Sequence, residues 1–293
     1  MSINLTDAAH QEFDSEVKHQ YQGMGKLRKA VTTRTNVTGD QYKFVRMGRG
    51  MANQKASAAD VTPMNISHAR QIAYLANWNA PEYTDIFDDS EVNYQEVQEL
   101  AQTIAKGITR REDQIIIDII EAGGDSWATT LDSDPDTSYT YNYSGTGNFS
   151  VIALQKIRAY FQGLECDSTL HCMCDANAIQ MLLRETKVGS VDYNLAKPLV
   201  EGDLTTKFMG FKFHIIGERA EGGLTHTNVD NQFAYCWAED AVGLAVGIDL
   251  KTEVNYVPQK TAWLSNGLYK AGAVLREPQG VARIQYDSDA AVV

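Results

Sequence analysis

Chemistry needs particular side chains at particular spacings, and this 293-residue chain holds a few places that approach such a pattern. Gly23-Met24-Gly25-Lys26 hints at a phosphate-binding loop. That loop requires a glycine five residues before the last one and a hydroxyl after the lysine, to wrap phosphate and hold Mg²⁺. Gln20 and Leu27 occupy those positions, so a flexible arm is the simpler reading. Asp132-Ser133-Asp134-Pro135-Asp136 resembles the start of a calcium loop, but Thr137 and Tyr143 stand where glycine and a bidentate glutamate are needed. His171-Cys172-Met173-Cys174 puts two thiols on one face of a strand, and Cys236 stands apart, so the second pair that structural zinc wants is missing. There is no G-x-S-x-G elbow and no H-E-x-x-H pair, and the six histidines are scattered. His171 and His214 fall inside strand patterns, where a core histidine is expected. Asp85, Asp88, Asp89 and Glu91 precede a long helical pattern, whose positive end they complement. No catalytic, cofactor-binding or metal-binding set emerges, and the chain does not read as an enzyme.

The elements around these motifs are more informative. Val97, Leu100, Ile104, Ile108, Ile115 and Ile119 repeat at steps of three, four or seven, which predicts a helix over about 93–122, ended by Gly123-Gly124. A rod of roughly 45 Å is long for a globular enzyme and suits a brace. Before it, residues 1–40 read as an extended arm with a short helix near Asp7 to Lys18. Gln41 to Met47 reads as a strand, followed by a Gly48-Arg49-Gly50 break and a polar tip over 53–60. Val61 to Trp78 fits strand and helix equally. Two long arms around a polar tip make a projecting hairpin with no core of its own. After the rod, 125–147 reads as a loop. Then come a helix from Ser150 to Gly163, a strand over 169–174 and a helix from Ala176 to Glu185 capped by Asp175. Further strands are expected over 208–216, 232–238, 250–256, 271–275 and 281–286.

The 26 basic and 38 acidic side chains give a net charge of −12. From Lys18 to Arg49 eight bases face one acid, so that segment carries +7 and the rest −19. Such an arm suits nucleic acid or the negative surface of a second copy, and the second needs no additional partner. With 43% hydrophobic residues the chain is globular, and no apolar run approaches the roughly 20 residues that span a bilayer. The N-terminus carries no secretion signal, so five N-x-[ST] sequons read as coincidences. Cys166, Cys172, Cys174 and Cys236 are expected as free, mostly buried thiols.

The order of parts resembles the major capsid proteins of tailed double-stranded-DNA bacteriophages. The resemblance is carried by Trp78-Asn79-Ala80-Pro81-Glu82-Tyr83-Thr84-Asp85-Ile86, by Arg110-Arg111-Glu112-Asp113 within the helix, and by Ala241 to Asp249 with Thr252-Glu253-Val254-Asn255-Tyr256. Gly272-Ala273-Val274 and Gly280-Val281 complete it, and it covers about residues 35–287.

The resemblance implies an α+β capsid fold. Its parts would be an N-terminal arm (1–35), a hairpin loop (36–84), a peripheral domain with the spine helix (85–148 and 241–293) and an α/β axial domain (149–240). It implies a homo-oligomer of pentamers and hexamers closing an icosahedral shell around DNA, without sequence-specific binding, cofactor or membrane. A separate scaffolding protein, a portal and a decoration protein are the implied partners. The implied place is the virion capsid, assembled in the host bacterial cytoplasm. Arg46, Arg49, Lys55, Trp78, Glu82 and Glu253 are then the expected subunit-interface residues. An encapsulin-like compartment, a tail or portal component, and an acidic α/β enzyme with an unrecognised site are the rival readings.

Overall fold

The computed structural model describes residues 24–58, 60–86, 96–124, 126–128, 139–144, 148–184, 207–217, 221–224 and 232–287. A 3-10 turn at Arg28–Ala30 leads into β1 (Thr32–Arg34). The hairpin strands are β2 (Gln41–Met47) and β3 (His68–Tyr74), and β4 (Ala76–Asp85) follows directly. Helix α1 spans Glu96–Ala122, then come β5 (Ser126–Ala128) and β6 (Tyr139–Ser144). Helices α2 (Val151–Gly163) and α3 (Ala176–Arg184) flank β7 (Leu170–Cys174). The remaining strands are β8 (Phe211–Ile215), β9 (Gln232–Ala238), β10 (Val242–Val257), β11 (Ala262–Leu275) and β12 (Val281–Tyr286).

Two sheets share one helix. The four-stranded sheet runs β1-β10-β11-β4, and the six-stranded sheet runs β5-β6-β12-β9-β7-β8. Ile104 and Ile108 of α1 lie against Gly267 of β11. Farther along, Ile116, Ile117 and Ile120 are fully buried in the same core as β9 and β12. These, rather than Ile115 and Ile119, are the buried residues of the second half, because that half faces a different sheet. At about 1.5 Å per residue the 27 residues of α1 reach about 40 Å, enough to underlie both. Gly123, at φ +66, ends the helix where the sequence places the stop, and its amide donates to Ile119 O.

Local signals hold elsewhere too. Ser150 accepts from the Ala153 amide at 3.3 Å and Asp175 from the Ala178 amide at 2.8 Å, each capping the helix it precedes. All four cysteines are free, three of them buried and Cys166 partly so. Other expectations are corrected. Residues 125–147, read as loop, contribute β5 and β6, because β6 pairs in parallel with β12 and β5 in parallel with β6. The strand read over 208–216 is shorter, since Phe208–Phe211 is a tight turn with Met209 and Gly210 at positive φ. The strands read over 250–256 and 271–275 belong to 16- and 14-residue strands, β10 and β11. Hydrogen bonding also joins β12, β5 and β6 to β7–β9 in one sheet, so that sheet draws on segments that the sequence reading groups with the long helix. The short helix near Asp7 to Lys18, the Asp132–Asp136 motif and the acids at 88, 89 and 91 lie outside the described residues.

Where β3 passes into β4 the chain crosses β11, and glycine permits the approach. A Cβ on Gly272 would sit 1.9 Å from the carbonyl oxygen of Tyr74, whereas one on Gly267 would meet only the ends of Ile104 and Ile108 at 2.5 and 2.4 Å. Backbone cannot yield as side-chain tips can. Gly272→Ala therefore costs about 3 kcal/mol or more and Gly267→Ala about 1–2 kcal/mol, read as shifts in the urea midpoint. An equal or reversed order would refute this account of the crossing.

Candidate assembly surface

The basic arm does not wave free of the body. Gly25 sits against α1, where a Cβ would lie 2.4 Å from Thr109 O, which explains a glycine there without any phosphate. The next two amides, of Lys26 and Leu27, donate to the carboxylate of Asp113 at 2.9–3.0 Å. Asp113 is 1% exposed and Leu27 fully buried. Arg28 makes a two-pronged contact with both oxygens of Asp249 at 2.8 and 2.7 Å and lies 3.4 Å from Glu112. The Tyr269 hydroxyl donates a very short hydrogen bond to Glu112. Burial pushes the Glu112 carboxyl up, opposed by Tyr269 and Arg28, while the Arg28 hydrogen bond holds Asp249 down. The Trp237 indole donates to Ala30 O at 2.8 Å, and β1 then pairs in parallel with β10. The sequence reading offered this positive segment to nucleic acid or a second copy. Within it, the backbone of 26–34 and the Arg28 side chain are held by carboxylates and strands of their own chain, while the Lys29 and Arg34 side chains are exposed.

The hairpin is rooted firmly and exposed beyond its root. Phe44 and Ala73 are buried with Leu75 and Ala245. Asp40 meets Lys270 at 2.7 Å, and Arg276 lies over the Phe44 ring. The last backbone rung joins the Gly48 amide to Ser67 O. Every described residue from 49 to 71 is then exposed, including Met51, Val61, Met64 and Ile66.

The six expected interface residues fall into two places. Arg46 and Arg49 lie at the hairpin root and point back to the body: Arg46 Nη1 is 3.9 Å from Glu277 Oε1, and Arg49 Nη2 donates to Leu164 O at 3.3 Å. Between them and the body lies a cleft of about 370 Å³ lined by Met47, Arg49, Leu164, Asp167, Asp240 and Glu277. Lys55 stands exposed at the tip. The other three lie on the four-stranded sheet. Trp78 is half-buried beneath the Arg111 guanidinium, 4.3 Å from its ring; Glu82 is exposed opposite Ser265; Glu253 pairs with Lys251. Arg111 also pairs with Glu221 at 2.6 Å. Asp249, Tyr269, Asp40 and Lys270 went unnoticed in the sequence, because their partners are more than 150 residues away.

Buried His171 and half-buried His214 form a pair, Nδ1 to Nε2 at 2.9 Å, stacked on Trp237. Glu239 lies 3.9 Å from His171 Nε2. Among the described residues no group of three His, Cys, Asp or Glu is arranged to hold a metal, and no helix is long and apolar enough to cross a membrane.

A clasped arm, a rooted but exposed hairpin and one helix under two sheets are what a family comparison must explain. The phage capsid protein family model matches residues 5–288. The chain belongs to that family. No curated protein sequence matches this capsid protein. Its fold is shared with the capsid of cyanophage P-SCSP1u, at 16% identity and TM-score 0.68 over 98% of this chain and 95% of that one. It is shared with the capsid of a native GTA particle, at 12% identity and TM-score 0.70, covering 98% and 100%. It is likewise shared with the acid-stable capsid of Helicobacter pylori bacteriophage KHP30, at 10% and 0.71, covering 98% and 97%.

Two outcomes follow from the capsid protein's buried charges. Hydrogen bonds to a carboxylate contribute about 1.5–3 kcal/mol each. Asp113→Ala removes two donors' acceptor and should raise tryptic cleavage after Lys26, Arg28 and Lys29 by about 100-fold. An unchanged cleavage rate would show the clasp to be incidental. Burial first, then nearby lysines, hold His171 down to about 4; burial, then the His171 imidazole and lysines, hold His214 down to about 4. An unfolded histidine titrates near 6.5. The unfolded state therefore binds more protons between those values, and stability is lost as pH falls from about 6.5 to 4. The urea midpoint should fall over that window, and less steeply in the His171→Gln, His214→Gln double variant; parallel slopes would refute the assignment.

Proposed function

We propose that this structural capsid protein is the subunit that closes, through pentamers and hexamers, into an icosahedral head around double-stranded DNA. The observation that carries the proposal is the hairpin beyond its root. Ordering each residue costs roughly 1–2 kcal/mol, and only burial offsets it. A stretch in which all described residues from 49 to 71 are exposed, Met51, Val61, Met64 and Ile66 among them, has no such burial within one subunit. A neighbouring subunit in an obligate interface of about 2,000–5,000 Å² supplies it. The GTA particle's capsid was computed with fivefold symmetry, which supports pentamers here.

Assembly takes place in the host cytoplasm with a separate scaffolding protein and a portal, and a decoration protein has the outer face available. The shell holds DNA as contents rather than as a ligand. A chain of net charge −12 whose basic arm base is clasped by its own acids does not grip phosphate tightly. Its work is mechanical, and we assign it no reaction. Negative-stain microscopy of the protein co-expressed with its scaffold tests the proposal. Closed shells, or rings of five and six without scaffold, are expected; a subunit that stays monomeric under both conditions would overturn it, and shells filled with protein cargo would replace the DNA-filled head by an enzyme compartment.

The interface proposal has its own test. Lys55 is the hairpin cation best placed to reach a neighbour, since Arg46 and Arg49 already contact their own body. Lys55→Glu should lower assembly yield about 3–10-fold at low salt and less at high salt, because screening weakens exposed pairs. Yields equal to wild type at both salts would remove Lys55 from the interface.

A further inference from the structure

Three of the four thiols meet on one face of the six-stranded sheet. Cys172 and Cys174 lie on β7 and Cys236 on the neighbouring antiparallel strand β9, all fully buried. The strand register sets Cys172 directly opposite Cys236. Positions in an antiparallel pair alternate between hydrogen-bonded and non-hydrogen-bonded. The Glu239 amide donates to Thr169 O at 3.0 Å, which marks 169–239 as hydrogen-bonded. Counting inward, Leu170–Ala238 is non-hydrogen-bonded, His171–Trp237 hydrogen-bonded and Cys172–Cys236 non-hydrogen-bonded. That position brings Cα atoms to about 4.5 Å with side chains closest, within the roughly 4.4–6.8 Å that a disulfide spans. The Cys174 and Cys236 thiols are both close enough to influence the acidity of the Cys172 thiol.

We propose that Cys172 and Cys236 close a disulfide between β7 and β9 when the protein meets an oxidant such as hydrogen peroxide. One thiolate attacks a peroxide oxygen, the O–O bond breaks and a sulfenic acid forms with loss of water. The second thiolate attacks that sulfur, the S–O bond breaks, the S–S bond forms and a second water leaves. Two thiols thereby give up two protons and two electrons, and one peroxide becomes two waters. Burial pushes the Cys172 thiol well up, so thiolate is scarce in the closed sheet and the step waits on brief opening of the strands. Cys166, although partly exposed, faces Ser168 rather than another thiol. The bond ties two internal strands across the long stretch from 172 to 236, the kind of closure that stabilises most. Its use rests on the capsid reading: a shell made in a reducing cell and released into an oxidising medium would harden after release.

The experiment treats the full chain with hydrogen peroxide, both folded and during refolding from urea, then blocks free thiols and maps peptides without reduction. A mass loss of about 2 Da before blocking, one Cys172–Cys236 linked peptide and two fewer blocked thiols are expected. The melting temperature should rise by about 5–10 °C and return with dithiothreitol. Cys174→Ser should retain the link and Cys236→Ser abolish it. Peroxide adducts in steps of about 16 Da without a link, or a link through Cys166, would overturn the proposal, as would no mass loss even during refolding. The mass reading does not depend on shell assembly, so failure of the capsid reading would leave it standing.

Discussion

The fold depends on carboxylates buried in the middle of a helix. Glu112 and Asp113 are 5% and 1% exposed, on adjacent positions of α1, where the helix passes from one sheet to the other. Isolated charges at such depth are costly unless every lone pair finds a donor. Asp113 is met by two backbone amides of the arm, and Glu112 by the Tyr269 hydroxyl of β11 and by Arg28. The requirement runs both ways. The arm cannot leave without stranding Asp113, and α1 cannot shift along its axis without parting Glu112 from β11. Three elements distant in sequence are thus fixed together by two acids rather than by apolar contact alone.

This explains why a chain with so much exposed projection still has a definite body. The hairpin contributes little to its own stability, but its root is set by contacts that tolerate no slack: the Gly272 crossing, Phe44 packed beside Gly243, and Asp40 on Lys270. Rigid root and exposed tip are complementary demands. In the assembly proposed above, a root that fixes the direction of the tip lowers the entropy lost when the tip docks on a neighbour.

The long helix, both side-chain caps and the hairpin were legible because each is written in a local pattern: a period of about 3.6, a serine or aspartate before an apolar run, a polar break between β-formers. The sheet partners were not. β5 is Ser-Trp-Ala, and β6 holds Tyr, Thr, Asn and Ser, a composition shared by loops and by strands; only the presence of β12 beside β6 decides the matter. Residues 242–249 alternate poorly because Val242 to Val246 are all buried, and a strand covered on both faces loses the period-two signature. The arm's clasp was hidden for another reason. Arg28 and Asp249 are separated by more than 200 residues, and charge counts along the sequence show an excess of one sign but not where its counter-charge lies in space. The net charge of the 18–49 segment was legible, and the internal partner of Arg28 was not.

That distinction bears on how such a protein keeps assembly from starting with the wrong contacts. A free segment carrying +7 beside a body of −19 would pair with any acidic surface, its own or another chain's, at small cost and with little selectivity. Satisfying Arg28 within the subunit by a two-pronged contact removes the strongest geometric donor from that competition. Arg46 and Arg49, turned toward Glu277 and the C-terminal end of α2, are partly withdrawn as well. What remains outermost on the hairpin is a polar tip that carries Lys55 and Asp60, flanked by exposed Met51, Val61 and Met64. Exposed apolar groups of this kind gain from any shape-matched burial that excludes water, whatever the sign of the charge facing them.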